Sequence, residues 1–369
     1  MLIQTARETE QSGEFWKTQS REVENRLYDS LRQCVPVIDA AITKIIRLTG
    51  GYKVVAEKEF AQELLDDFCN NVSVGTSGKS IYSFTDSYFD SLITYGNAVG
   101  EYVIDNENYS FLGLYNANFS GIHIEKGREP FSKIFYKKKI DGSKERLRNP
   151  ERIIFTALAP TNGEIYGRSV LRGLPALSKT LLKIYQCIGQ NYERTGNVRY
   201  AVLYKPPASG PEKSQTRERV TAIAKEWAEG MRSSRCGEIR DFVCSGDVEI
   251  KVIGAENKLM DTNIPVRQLL EQLISKLSIP PFLLGLSWST TERMSAQQCD
   301  ILTSELEYYR RLLNPVIIEI CDTFLKLSGI STKLSVEWSN INLQDESELA
   351  LARLNNAKAL EIEKKIEKE

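Results

Sequence analysis

Few side chains in this sequence can do chemistry, and their spacing decides what they could do. One histidine, His123, sits in Gly121-Ile-His-Ile-Glu125. Without a second, H-E-x-x-H zinc sites and two-histidine sites with one carboxylate cannot be assembled within the chain, and no G-x-S-x-G elbow presents a serine nucleophile. A satisfied or exposed strand residue is the simpler expectation for His123. Gly75-Thr-Ser-Gly78-Lys79-Ser80 ends like a phosphate-binding loop, whose backbone amides cradle a nucleotide. That pattern needs glycine where Ser73 stands, and a buried strand where a helical stretch ends in Asn70-Asn71. A polar connecting loop is expected, with a nucleotide hydrolase using Lys79 as the alternative. The carboxylate pairs Asp66-Asp67 and Asp345-Glu346 fall where solvated helix faces and caps belong. Lys137-Lys138-Lys139 would point to alternate sides of a strand, which suits a solubilising sheet edge better than a phosphate grip. Seven cysteines (Cys34, Cys69, Cys187, Cys236, Cys244, Cys299, Cys321) include no C-x-x-C pair. Reduced, mostly buried thiols are expected, without a disulfide framework or structural zinc. No catalytic residue, metal site or cofactor is assigned.

Composition narrows the class. Of 369 residues, 41% are hydrophobic and 26% charged, which gives apolar mass for two or three packed units. The 48 Lys+Arg against 49 Asp+Glu give a formal charge of -1, without the basic excess of a protein that grips phosphates by counterion release. No run approaches the roughly 20 apolar residues of a bilayer span. The start, Met1-Leu-Ile-Gln-Thr-Ala-Arg-Glu8, lacks the basic-then-apolar order of a signal peptide. Synthesis and use in a cytoplasm, off the membrane, are expected.

The elements that must position any site follow from periodicity. Residues 1–20 are polar and aperiodic and read as a loose arm. Leu27, Leu31, Val35, Ile38, Ile42 and Ile46 recur at spacings of three and four, predicting one helix kinked at Pro36 and stopped by Gly50-Gly51. Further helical stretches carry Phe60, Leu64 and Phe68, then Phe84, Tyr88, Leu92 and Tyr95, before Gly96 turns the chain. From Tyr109 to Leu158 the pattern alternates, with Asp141-Gly142 as a hairpin turn, so this half is α+β, a sheet flanked by helices. Stripes from Leu174 to Tyr192 and from Val266 to Leu277, the second starting close to Pro265, predict two long helices bracketing an insertion. The insertion reads as strand 198–204, a turn at Pro206-Pro207, a helix with Val220, Ile223, Trp227 and Met231, and strands 239–243 and 248–253. Pro280 and Pro281 should stop the second long helix, and Gly285 permits the turn into a polar loop, Leu286 to Met294. A long helix then runs from Leu302 to Phe324 with a kink at Pro315, followed by a strand from Leu334 to Asn340. Asp345 and Glu348 offer the start of a last helix.

Several of these segments, in order, resemble the portal protein family of tailed bacteriophages. Tyr166-Gly-Arg-Ser-Val-Leu171 is similar to the G-[RK]-S-x-[LI] segment that precedes the family's first long helix. Ile279-Pro280-Pro281-Phe-Leu-Leu-Gly285 is similar to its hydrophobic-Pro-Pro-x-hydrophobic-hydrophobic-Gly segment, and Leu313-Asn314-Pro315 lies in a matching kinked helix. Upstream, Leu92-Ile-Thr-Tyr-Gly96-Asn-Ala98 looks like the small-residue turn of the family's outer domain.

The resemblance runs from about Leu27 to about Leu354. It implies an α+β fold of portal architecture: an α+β wing (21–167, with the strand in 331–344 returning to it), long antiparallel stem helices (168–197 and 257–285), a small β-α-β-β clip (198–256), a tunnel loop (286–299) and a long kinked helix (300–330). Residues 345–369 would be a short C-terminal helix in place of a full crown. Ser287, Trp288, Ser289, Thr290, Thr291, Glu292, Arg293 and Met294 would face a channel, anchored by Pro280, Pro281 and Gly285. The resemblance further implies a non-enzymatic, dodecameric homo-oligomer ring at one capsid vertex of a virion, assembled in the host cytoplasm. Double-stranded DNA would pass through it, and its partners would be the terminase large subunit, a head-tail adaptor, and the major capsid and scaffolding proteins. A non-ring helical adaptor is the remaining alternative.

Overall fold

The structure, a computed structural model, describes residues 21–105, 107–129, 131–139, 143–196, 199–204, 216–235, 248–253, 262–286, 292–341 and 358. The chain divides into two compact units, residues 1–180 with 267–369, and residues 181–266.

The first unit opens with two helices where one kinked helix was expected. α1 (Arg21–Cys34) and α2 (Pro36–Thr49) are separated by Val35, whose φ of -121° and ψ of 89° lie outside the helical basin. A proline ring pushes the residue before it out of that basin, and Pro36 then occupies the first position of α2, where no amide is required. The chain continues through β1 (Tyr52–Ala56), α3 (Glu59–Asn71), β2 (Ser73–Val74), β3 (Gly78–Lys79), α4 (Ile81–Tyr95), β4 (Asn97–Ile104) and β5 (Phe111–Asn116). Next come β6 (Ile122–Lys126), β7 (Lys133–Lys138), β8 (Lys144–Arg146) and β9 (Ile153–Ala157). Strands β3-β2-β5-β4-β9 form one sheet, and α4 packs on β4 and β5. Its core side chains Phe84, Tyr88, Phe89, Leu92 and Ile93 are all buried, each worth roughly 1.5–3 kcal/mol against exposure.

Strands β6-β7-β8 make a second sheet. Ile124 and Phe135 from it join Val99, Phe119 and Tyr166 in a separate apolar cluster. β7 is the middle strand, so the lysine run is not on an edge as expected. Side-chain alternation alone does not say how many neighbours a strand has. Lys139 pairs with Glu145 at 3.3 Å. The Asp141-Gly142 turn lies outside the described residues, while the strands on either side of it pair antiparallel, Lys138 opposite Lys144.

Within the first unit, the long helix α8 (Glu292–Leu327) runs through Pro315. Its buried stripe includes Leu302, Leu306, Leu313, Ile317 and Ile320. It leads to β12 (Leu334–Trp338), which pairs antiparallel with β1, Tyr52 opposite Trp338 and Ala56 opposite Leu334. The late strand therefore pairs with a strand of the N-terminal half.

The helix α5 (Leu174–Gly196) starts after Gly173 and crosses from the first unit into the second at Leu181. The second unit adds β10 (Arg199–Tyr204), α6 (Thr216–Arg235) and β11 (Val248–Ile253). β10 and β11 pair antiparallel, Arg199 opposite Ile253 and Tyr204 opposite Val248. On α6, Ile223 and Trp227 are half-buried. The expected strand 239–243 and the Pro206-Pro207 turn lie outside the described residues. The helix α7 (Asn263–Leu277) crosses back into the first unit, with Leu273, Ile274 and Leu277 buried there.

Candidate functional site

Two junctions in the first unit position the segments singled out by sequence. The first closes around two glycines. Gly96 ends α4 in the left-handed conformation, and a Cβ on it would stand 2.3 Å from the backbone carbon of Arg168 and 2.5 Å from the nitrogen of Ser169. A Cβ on Gly167 would stand 2.2 Å from the carbonyl oxygen of Gly96 and 2.3 Å from the nitrogen of Leu158. Neither position admits a side chain without backbone movement. Polar contacts then lock the clasp. Leu158 N–H donates to Gly96 O and Arg168 N–H to Leu158 O, both at 2.8 Å, and Gly167 N–H donates to Asn97 Oδ1 at 2.8 Å. Ser169 Oγ donates to Thr94 O at 2.6 Å and accepts from Leu171 N–H at 2.9 Å. The sequence drew attention to Gly96 and Gly167 separately, as parts of two motifs; the structure presses them together.

The second junction carries the Pro-Pro segment. α7 ends at Leu277 because Ser278 adopts a left-handed φ of 53°. The prolines therefore follow the helix end and do not cause it; they prevent resumption, since neither has an amide to donate. Ile279 and Pro280 are buried, and Pro281–Leu284 form a single 3-10 turn packed against α2. Leu283 N–H donates to Pro280 O, Gly285 N–H to Phe282 O and Leu286 N–H to Pro281 O, each at 3.1 Å. Gly285 closes the turn at φ 75°, and a Cβ there would meet nothing within 4 Å. It is needed for its backbone angle alone. Residues 287–291, the core of the expected channel loop (Ser287, Trp288, Ser289, Thr290 and Thr291), lie outside the described residues. Glu292, Arg293 and Met294 belong to the first turn of α8, where Arg293 and Met294 are exposed. Both flanks of residues 287–291 are thus ordered, a closed turn on one side and a helix start on the other.

One residue that sequence reading missed joins α8 to the end of α2 and to the segment after β12. Arg310 donates through Nε (2.8 Å) and Nη2 (2.6 Å) to Thr49 O at the end of α2, and through Nη2 to Ser339 O at 2.7 Å after β12. Its guanidinium carbon lies 5.0 Å from the Trp338 ring centroid, while Trp338 Nε1 donates to Asn314 Oδ1 at 2.6 Å. A cation satisfying the last carbonyls of a helix is favoured by the helix dipole. Partial burial lowers the pKa of Arg310, which stays charged at any physiological pH. An arginine on the polar side of an amphipathic stripe gives no sequence signal for this role.

The other chemically suggestive groups resolve as structure. His123 Nε2 lies 3.0 Å from Glu125 Oε1, an oxygen shared with Lys144 Nζ at 3.1 Å. Desolvation and the Lys144 charge lower the imidazole pKa. In the P-loop-like segment, β2 and β3 form a small hairpin, Val74 opposite Gly78. Gly75 N–H donates to Leu114 O and Ser80 N–H to Val72 O, both at 2.8 Å, and Ser80 Oγ accepts from Ser83 N–H at the start of α4. The amides at both ends of the segment, Gly75 and Ser80, are thus committed to protein acceptors, and the hairpin stands where a phosphate-binding loop would need a strand leading straight into a helix. Asp66 accepts from Gln62, and Asp67 from Asn71, each at 2.7 Å. Among the described residues no three metal-ligating side chains gather, and no helix is long and apolar enough to cross a membrane.

No protein-family model and no curated protein matches the chain in sequence. Solved structures do match in fold. A chain in the virion of the native gene transfer agent (GTA) particle aligns with TM-score 0.62 at 15% identity, over 94% of this chain and 90% of that one. A chain in the neck of the native particle, computed with C12 symmetry, aligns with TM-score 0.61 at 15% identity, over 92% and 89%. One in the neck of the empty particle, computed with C6 symmetry, aligns with TM-score 0.61 at 16% identity, over 92% and 88%. The chain thus has the fold of a component of the gene transfer agent virion and neck.

Proposed function

We propose that this protein is a portal subunit: a non-enzymatic chain that assembles into a ring at one vertex of a virion capsid and passes double-stranded DNA during packaging and ejection. The observation that carries the reading is the fold shared, over more than nine-tenths of the chain, with a component of a particle neck computed with C12 symmetry. The ordered segments around Gly96, Gly167 and Ile279–Gly285 support it. Dimensions support it too. Twelve subunits, each contributing one channel-lining helix packed about 10 Å from the next, enclose a bore of ~28 Å after helix width is subtracted, enough for duplex DNA; six leave only ~9 Å.

In this reading residues 21–167 form the wing, α5 and α7 the stem, and residues 198–256 the clip that meets the terminase large subunit and later a head-tail adaptor. Capsid and scaffolding proteins surround the wing. Ser287 to Met294 face the channel, held by the closed turn at Pro280, Pro281 and Gly285. Near-neutral charge suits a conduit, because a lysine-studded bore would bind each passing phosphate, and DNA presents about one charge per 1.7 Å.

End-on electron-microscope images of the purified protein test the reading. Rings with a central hole are expected; a strict monomer at high concentration, or a small discrete oligomer without a channel, overturns it.

A further inference from the structure

We infer that the segment ahead of α1, residues 1–20, doubles back and docks on this chain's own surface, with Phe15 and Trp16 on an exposed apolar stripe of α1 and Glu8, Glu10 and Glu14 beside two unpaired cations of α2. The stripe flanks the buried side of α1 and is not part of it. Tyr28 and Leu31 lie in the core, whereas Val23 is 46% and Leu27 39% exposed. Residues four apart on a helix are neighbours on one face, and Ser30 and Cys34, also exposed, carry that face to the end of α1. Next to Cys34, Gln33 and Pro36 belong to a surface depression of about 670 Å³ that Ala40, Lys44, Arg47 and Leu48 also line.

The charges around this depression are uneven. Arg32 takes up Asp39 at 2.7 Å and also pairs with Asp90. Asp86, which shares the adjoining depression with Arg47, is raised by burial with no cation offsetting it. Lys44 and Arg47 are exposed and have no ion-pair partner among the described residues.

Tether, chemistry and order select the occupant. The first turns of α1 are fixed, because the Arg21 guanidinium lies 3.3 Å from the Tyr166 ring centroid and Asn25 Nδ2 donates to Ser120 Oγ at 3.4 Å. The preceding residues therefore start beside the stripe. Phe15 and Trp16 supply apolar surface, and residues 8–14 hold Glu8, Glu10 and Glu14 with no lysine or arginine. Counted outward from Arg21, extended backbone brings the aromatic pair to within ~20 Å and the acids to ~23–43 Å. Along α1, Leu27 stands ~9 Å from Arg21 and Cys34 ~20 Å, where the depression with Lys44 and Arg47 begins. After a reversal through the polar residues 17–20, each group meets its counterpart in turn. A tether this short gives the segment an effective concentration in the millimolar range, so a modest apolar contact holds it without a second copy.

The test couples carboxylates to lysines in the intact, full-length protein with a zero-length carbodiimide, separates chains by mass under denaturing conditions, and maps joined peptides by mass spectrometry. The expected product joins Glu8, Glu10 or Glu14 to Lys44 within a chain of single mass. Its yield should fall roughly fivefold to tenfold in Trp16→Ser and in Leu27→Ser, while the product joining Glu125 to Lys144, an ion pair at 3.1 Å, stays unchanged as an internal standard. Trp16 precedes the first element of the fold, so its variant decides the matter even if Leu27→Ser fails to fold. Coupling to Lys44 only in chains of doubled mass assigns the segment to a second copy and overturns the inference. A yield that Trp16→Ser does not lower, the mark of a tether without a dock, overturns it, and so does absence of the product while Glu125 and Lys144 still couple. Single chains and rings would give the same single-mass product, so the outcome is independent of the portal reading.

Discussion

Gly96 and Gly285 have the same backbone twist, φ 74° and 75°, yet their surroundings differ completely. Around Gly96 the backbone of Arg168 and Ser169 fills the space a Cβ would take; around Gly285 that space is empty. One glycine is required by close packing and by its backbone angle, the other by its angle alone. A sequence shows the same letter for both. The difference separates a mount that must not move, where β4 and the segment leading to α5 are clasped, from an exit that must only turn, where the chain leaves toward residues 287–291.

Substitutions can break or sharpen this contrast. The largest effect is expected for Gly96→Ala, which meets both the left-handed penalty and a backbone collision. It should cost about 4 kcal/mol or more in urea unfolding, and a loss near 1 kcal/mol would show that the clasp yields. Gly167→Ala, whose Cβ collides with the carbonyl of Gly96, should cost about 2–3 kcal/mol. The double variant should lose less than the sum, because both changes open the same contact. Ser169→Ala leaves Thr94 O and Leu171 N–H short of a partner in a buried place, for about 1–2 kcal/mol. Gly285→Ala should cost only about 1 kcal/mol, and Gly285→Asn a few tenths, since asparagine tolerates the left-handed angle. If Gly285→Ala destabilised as strongly as Gly96→Ala, the junction would be a second clasp and the contrast would fail.

Much of the skeleton was legible in the sequence. The stripes of α5, α7 and α8 follow from apolar spacing, and the strand at 334–338 declares itself by alternation before pairing with β1. The motif around Gly285 was legible as a turn because Pro and Gly constrain the backbone locally. What was not legible depends on partners distant along the chain. Pro36 breaks a helix while Pro315 sits within one, and the two differ in whether surrounding packing holds the residue before the proline in the helical basin. Ser278, an ordinary serine by type, ends α7 ahead of the prolines that seemed to explain its end. The contact between Gly96 and Gly167 has no local signal, and neither does the reach of Arg310 to Thr49 and Ser339. Residues 287–291, the centre of the expected channel loop, carry a functional expectation from resemblance to a family and no described geometry.

The ladder between β1 and β12 has a consequence in time. Its two strands are separated by about 280 residues, which a ribosome adding roughly 5–20 residues per second needs on the order of half a minute to make. Throughout that interval β1 has been synthesised and its partner has not, so its open hydrogen-bonding side is a template for another chain. Within β1, Lys53 is exposed and stands opposite Glu337 in the finished ladder. A nascent chain whose β1 joins another chain in that window would not close its own ladder, so the first unit stays open at this edge until Leu334–Trp338 is made.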